Sequence, residues 1–176
     1  MPLERAAAGI VAFTGVRPSA AHGLRWEEWE RAKGHIHVKR AVWHKHIGTT
    51  KTQQSERFIT VTDELRDILL DLWNARHCPL GGYILAGPQK GAPVVLDNLA
   101  KRTIRTALEK DKIEWHGWYS LRRFHGTEVR THANSSETAA KALGNSREVF
   151  NKHYNKPTEV LPDVRKAVSE AFSGLV

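Results

Sequence analysis

Residues 35–39 and 41–45 alternate polar and apolar with period two and 57–61 is β-rich, while helical spacing prevails on either side. That switch constrains the fold more than any other feature, because strands show alternate side chains to opposite faces and helices repeat every 3.6 residues. Three short antiparallel strands are expected, at 35–39, 41–45 and 57–61, with 48–56 as the last, polar turn. Before them, the Ala-rich segment 3–13 is apolar on most faces and reads as a buried helix. Gly15 ends it, and Pro18 opens a short helix through Ala21. After the strands, Asp63 is expected to cap a helix with Leu65, Ile68, Leu69 and Leu72 on one face. Asp97 is expected to cap a helix running to about residue 110. Ser120, Ser135 or Ser136, and Ser146 are expected to cap three more, the last carrying Tyr154. A final amphipathic helix is expected at 163–172. The sum is an α+β domain, mostly helical, with a small three-stranded antiparallel sheet.

The chain has 176 residues, 40% of them hydrophobic, enough to bury a proper core. Lys and Arg number 27 against 19 Asp and Glu, a net charge of +8 that points to a polyanionic partner. No apolar run reaches membrane-spanning length, and the N-terminus lacks the basic-then-apolar layout of a secretory signal, so a membrane is the weaker choice. One cysteine, Cys78, forms no internal disulfide and fits a reducing cytoplasm.

Four polar residues suggest phosphate chemistry: Arg17, Lys51, Arg122 and Tyr154. Planar arginine forks hold phosphate, lysine serves as point charge or acid, and tyrosine attacks. Arg17 follows a helix end and a glycine, where a side chain can enter a cleft. Arg122 is expected in the first turn of a helix, whose N-terminus adds partial positive charge. Lys39 and Lys45 compete with Lys51 for the role of acid. His35 and His37 share one strand face, as do His44 and His46. With no cysteine or clustered carboxylate beside them, they read as a polar sheet face.

The contexts of these residues resemble the catalytic domain of the tyrosine recombinase, or phage integrase, family. Thr14-Gly15-Val16-Arg17-Pro18-Ser19 followed by Leu24-Arg25-Trp26 is similar to its first arginine box. Tyr119-Ser120-Leu121-Arg122-Arg123 resembles His-x-Leu-Arg, and Leu143-Gly144-Asn145-Ser146 resembles Leu-Gly-His-Ser. Tyr154 follows Asn145 by nine positions, as the family nucleophile follows its box. Three departures stand out: Ala20 replaces a supporting glutamate, Tyr119 a histidine, and Asn145 a histidine or tryptophan.

The resemblance covers nearly the whole chain and implies a catalytic domain over residues 1–176, without the family's N-terminal DNA-clamping domain. It implies strand cleavage and rejoining on double-stranded DNA, through a 3′-phosphotyrosine on Tyr154. Arg17 and Arg122 would stabilise the phosphorane, Tyr119 and Asn145 would donate hydrogen bonds, and Lys51 would protonate the leaving 5′ oxygen. No metal or cofactor is expected. The chain is expected to be monomeric alone and to assemble with other protomers, as a tetramer, on DNA. Two alternatives are an impaired DNA-binding module, which the departures favour, and a topoisomerase of related chemistry.

Overall fold

A computed structural model of the chain describes residues 1–43, 46–49, 57–89 and 91–154. Lys45, Lys51 and the segment 163–172 lie outside the described residues, as does His44.

Helix α1, Pro2–Thr14, is the central element. Ala6, Ala7, Ile10 and Val11 are fully buried, because small side chains let neighbouring helices approach on several faces at once. It packs on α3 (Asp63–Ala75) through Leu65, Leu69 and Leu72, and on α6 (Trp118–Ala133). Gly9 faces Ile68, where an added Cβ would lie 3.3 Å from Cδ1. Gly15 closes α1 in the left-handed region (φ 61°), its N–H bonding Val11 O at 3.0 Å. Pro18 opens α2, Pro18–Gly23.

The sheet differs from expectation in its membership. Its three strands are β1 (Trp29–Glu30), β2 (His35–Val38) and β5 (Arg57–Thr60), antiparallel in the order β1-β2-β5. The strand expected at 41–45 instead forms β3, Arg40–Trp43, which pairs with β4, His46–Thr49, as a separate hairpin. Residues 48 and 49 therefore belong to a strand rather than to the polar turn. A buried ion pair fixes this hairpin to the core: Arg40 donates to both Glu28 oxygens, at 2.9 and 2.6 Å, and to Gly23 O at 3.1 Å. In the main sheet His35, His37 and Phe58 share the outer face, with His37 stacked on Phe58 at 4.3 Å between centroids. Ile36, Val38 and Ile59 point into the core.

The cap residues also shift. Thr62, not Asp63, caps α3 by accepting from Leu65 N–H. Helix α4 starts at Leu96 and runs to Leu99, then through a π-helical turn, Ala100–Ile104, into α5, Arg105–Lys110, so Asp97 lies inside the first turn. Helix α6 begins at Trp118 after Gly117 (φ 86°), which leaves Ser120 within its first turn, its hydroxyl turned back to Gly117 O. Ser135 caps α7 (Ser136–Leu143) and Ser146 caps α8 (Arg147–His153), as serines at N-caps should. Ala139, Ala140, Leu143 and Phe150 form a small apolar cluster separate from the main core. Among the described residues no helix is long and apolar enough to cross a membrane.

Candidate functional site

Three chain ends meet at one point: the end of α1, the end of α7 and the end of α8. Arg17 is placed there by its neighbours. Thr14 Oγ1 bonds Ile10 O, Val16 N–H bonds Thr14 Oγ1, and Val16 is wholly buried. Arg17, extended as the N-cap of α2, is thereby left exposed at the rim.

Asn145 is placed by the turn that ends α7. Gly144 takes the left-handed conformation (φ 64°), and the N–H groups of Gly144 and Asn145 bond Lys141 O and Ala140 O, both at 2.9 Å. Glycine, not Asn145, is thus the left-handed cap, and the Asn145 side chain is free to turn inward. Its Oδ1 accepts from Arg17 Nη2 at 2.8 Å and Arg122 Nη2 at 3.3 Å. Its Nδ2 is buried without a hydrogen bond of normal geometry among the described residues.

Arg122 lies in the second turn of α6, not the first, and its side chain enters the interior rather than extending beyond the helix N-terminus. It is 0% exposed. Nε donates to Tyr154 Oη at 3.1 Å, Nη1 to Gly15 O, and Nη2 to Leu143 O at 3.0 Å. One buried guanidinium therefore ties the end of α1, the end of α7 and the tyrosine together. Gly126, one turn further along α6, allows this approach: an added Cβ would lie 2.9 Å from Leu143 Cδ1. Tyr154 closes α8, its N–H bonding Phe150 O at 2.8 Å and its ring stacked on Phe150 at 5.7 Å.

The remaining expected residues are less closely joined. Tyr119 is 52% exposed. Of the three candidate lysines, Lys39 is described and exposed, while Lys51 and Lys45 fall outside the described residues. His125 bonds Ala12 O at 3.0 Å, and burial lowers its pKa and favours the neutral ring. Among the described residues no group of His, Cys, Asp or Glu is placed to hold a metal.

One residue went unnoticed in the sequence. Arg57 stands opposite Val38 on the inward side of β5, and its guanidinium reaches Gly144 so closely that a Cβ there would overlap Nη1. Alternation was the available signal, since Phe58 and Thr60 face out while Ile59 faces in. Burial, then the charges of Arg122 and Arg17, push its pKa down to about 10. Arg122 is lowered chiefly by burial, partly offset by Tyr154. For Tyr154 burial is the largest influence and raises the phenol. Arg122, Asn145 and Arg17 act the other way and together prevail, so the pKa lies below its usual value of 10.0. Among the described residues no carboxylate is among the groups acting on Arg57, Arg122 or Tyr154. Such a site favours an anion in its mouth and an ionised tyrosine within it.

No protein-family model matches the sequence, and no curated protein does. Solved structures match its fold. XerA recombinase superposes with TM-score 0.69 at 16% identity, over 99% of this chain and 56% of its own. The Tn1549 transposon integrase, in complex with transposon right-end DNA, gives 0.73 at 16% identity, over 96% and 58%. The XerH site-specific recombinase, bound to its difH substrate before cleavage, gives 0.63 at 19% identity, over 96% and 45%. The chain thus spans 45 to 58% of the length of these proteins. At such identities the likeness concerns the fold: this chain folds as a tyrosine recombinase catalytic domain.

Proposed function

We propose that the chain cleaves and rejoins DNA strands through a phosphotyrosine at Tyr154. The observation that carries this reading is the hydrogen bond from buried Arg122 to the Tyr154 hydroxyl, in a cluster of arginines on which no carboxylate among the described residues acts. A tyrosine whose pKa is lowered is a better nucleophile near neutral pH, because more of it is phenolate. Tyr154 Oη gives its proton to solvent and attacks phosphorus. The bond to the 5′ oxygen breaks, leaving a 3′-phosphotyrosine and a 5′-hydroxyl once that oxygen is protonated, a task assigned to Lys51. A 5′-hydroxyl from a second strand reverses the step, so one phosphodiester replaces another and no ATP is consumed. Arg17 stabilises the pentacoordinate oxyanions directly, Arg122 adds its charge from behind Tyr154, and Asn145 Nδ2, buried without a hydrogen bond of normal geometry among the described residues, is the donor available to a non-bridging oxygen. Tyr119 is assigned a supporting hydrogen bond at the rim. Site-specific recombination between double-stranded DNA segments, by protomers assembled on them, is the corresponding activity.

A second reading has an observation of its own. Asn145 accepts from two arginines and cannot relay a proton, which suits a module that binds DNA without cutting it. Nicked duplex DNA, which traps covalent adducts, separates the two. The parent chain should form an adduct that Tyr154→Phe abolishes with non-covalent binding nearly intact, while Tyr83→Phe keeps it. An adduct that survives Tyr154→Phe, or none from the parent, would overturn strand cleavage.

A further inference from the structure

Arg122 is poorly suited to meet a phosphate directly in this arrangement. A guanidinium has five N–H donors, and Arg122 directs four of them at Tyr154 Oη, Gly15 O, Leu143 O and Asn145 Oδ1 from a wholly buried position. Arg57 is in the opposite condition. It is half-buried on the inward side of β5, against the Gly144 turn, and no hydrogen bond of its side chain is found among the described residues. Arg17 is exposed and spends one donor on Asn145. Asn145 Nδ2, which favours the ionised Tyr154 but makes no hydrogen bond of normal geometry among the described residues, adds a further donor.

We infer that Arg57 is a phosphate-binding residue, and that Arg57 and Arg17 present the free N–H donors to the anion while Arg122 holds Tyr154 and Asn145 in place. The identity of the anion, a backbone phosphodiester, rests on the strand-cleavage reading above. Three cations gathered with no carboxylate among the described residues repel one another, and the depressed pKa of Arg57 reflects burial first and then that repulsion. An anion bound between them removes the repulsion and satisfies the fork. Arginines kept for packing or for holding a loop have acceptors or carboxylates; Arg40, which has both, shows the contrast within this chain.

The test uses inorganic phosphate as probe, on the whole chain, by titration calorimetry and by the melting temperature with and without phosphate. The variant is Arg57→Met, which keeps the half-buried stem and removes the fork. Arg57→Lys keeps the charge with one ammonium in place of the fork, and Arg66→Gln, on the exposed face of α3, controls for net charge. Phosphate should raise the parent's melting temperature. Arg57→Met should weaken phosphate at least tenfold and lose that rise, yet melt no lower than the parent in phosphate-free buffer, because a repelling charge is gone. Arg57→Lys should fall between, and Arg66→Gln should behave as the parent. Parent-like phosphate affinity in Arg57→Met, a lower melting temperature in phosphate-free buffer, or no phosphate effect on the parent would each overturn the assignment. None of these readouts requires cleavage. A parent that binds phosphate through Arg57 but forms no adduct sinks strand cleavage alone. One that forms an adduct while Arg57→Met keeps phosphate affinity sinks the Arg57 role alone.

Discussion

At Asn145 a side-chain carbonyl stands between two guanidinium groups, and the amide of the same residue favours the ionised form of Tyr154. Removing it withdraws one influence that lowers the phenol and leaves burial, which raises it, in place. The rate of adduct formation should rise with pH through the depressed pKa of Tyr154, and in Asn145→Ala the midpoint should move up toward the ordinary value near 10. The variant therefore loses most at neutral pH and least at alkaline pH. A pH–rate profile that keeps its midpoint would detach Asn145 from the nucleophile. At this scale the sequence was informative where motifs are local. Arg17, Arg122, Asn145 and Tyr154 are joined by hydrogen bonds across as many as 128 positions of chain. It was uninformative about Arg57, because an arginine in a strand looks like a solvated residue until its face is known. The commitment of Arg122 to backbone carbonyls was equally hidden, since those carbonyls belong to the distant Gly15 and Leu143.

Among the elements, α8 is seven residues long, too short to be stable without its cap and its packing. Ser146 Oγ accepts from Val149 N–H at 3.3 Å, and the matching bond at α7 runs from Thr138 N–H to Ser135 Oγ at 3.1 Å. Ser146→Ala should cost about 1 kcal/mol, read from a urea midpoint, and should slow adduct formation more than Ser135→Ala, because Tyr154 closes α8. Equal effects of the two variants on adduct formation would mean that α8 is held by Phe150 alone. Both serine caps were legible, for each precedes a helical pattern directly. Ser120 misled because Gly117, three residues earlier, already turns the chain. Strand β1 could not be read at all: two residues show no period, and only pairing with β2 makes them a strand. Residues 41–43 were rightly read as extended but wrongly assigned, since alternation fixes faces and leaves partners open.

For the whole molecule, the net charge of +8 sets how DNA binding answers to salt. Each phosphate neutralised releases condensed counterions, so about four such contacts would cost about 10²-fold in affinity between 50 and 200 mM salt. Fluorescence anisotropy on a short duplex should show that fall, and a flat response would argue against a basic cleft facing DNA. The α+β class and the helical majority were legible because a β-rich block between helical patterns admits few other arrangements. The centrality of α1 was legible too, from a run of alanines no exposed helix would need.

The two apolar clusters differ greatly in size, and the division falls across the reacting groups. Arg17 and Arg57 are carried by elements of the large core, whereas Tyr154 packs on the small one formed by α7 and α8. The groups proposed to react thus stand on two separate apolar clusters, joined by the Arg122 guanidinium and the close approach at Gly126. A substitution that loosens the small cluster should therefore displace Tyr154 while the large core stays folded.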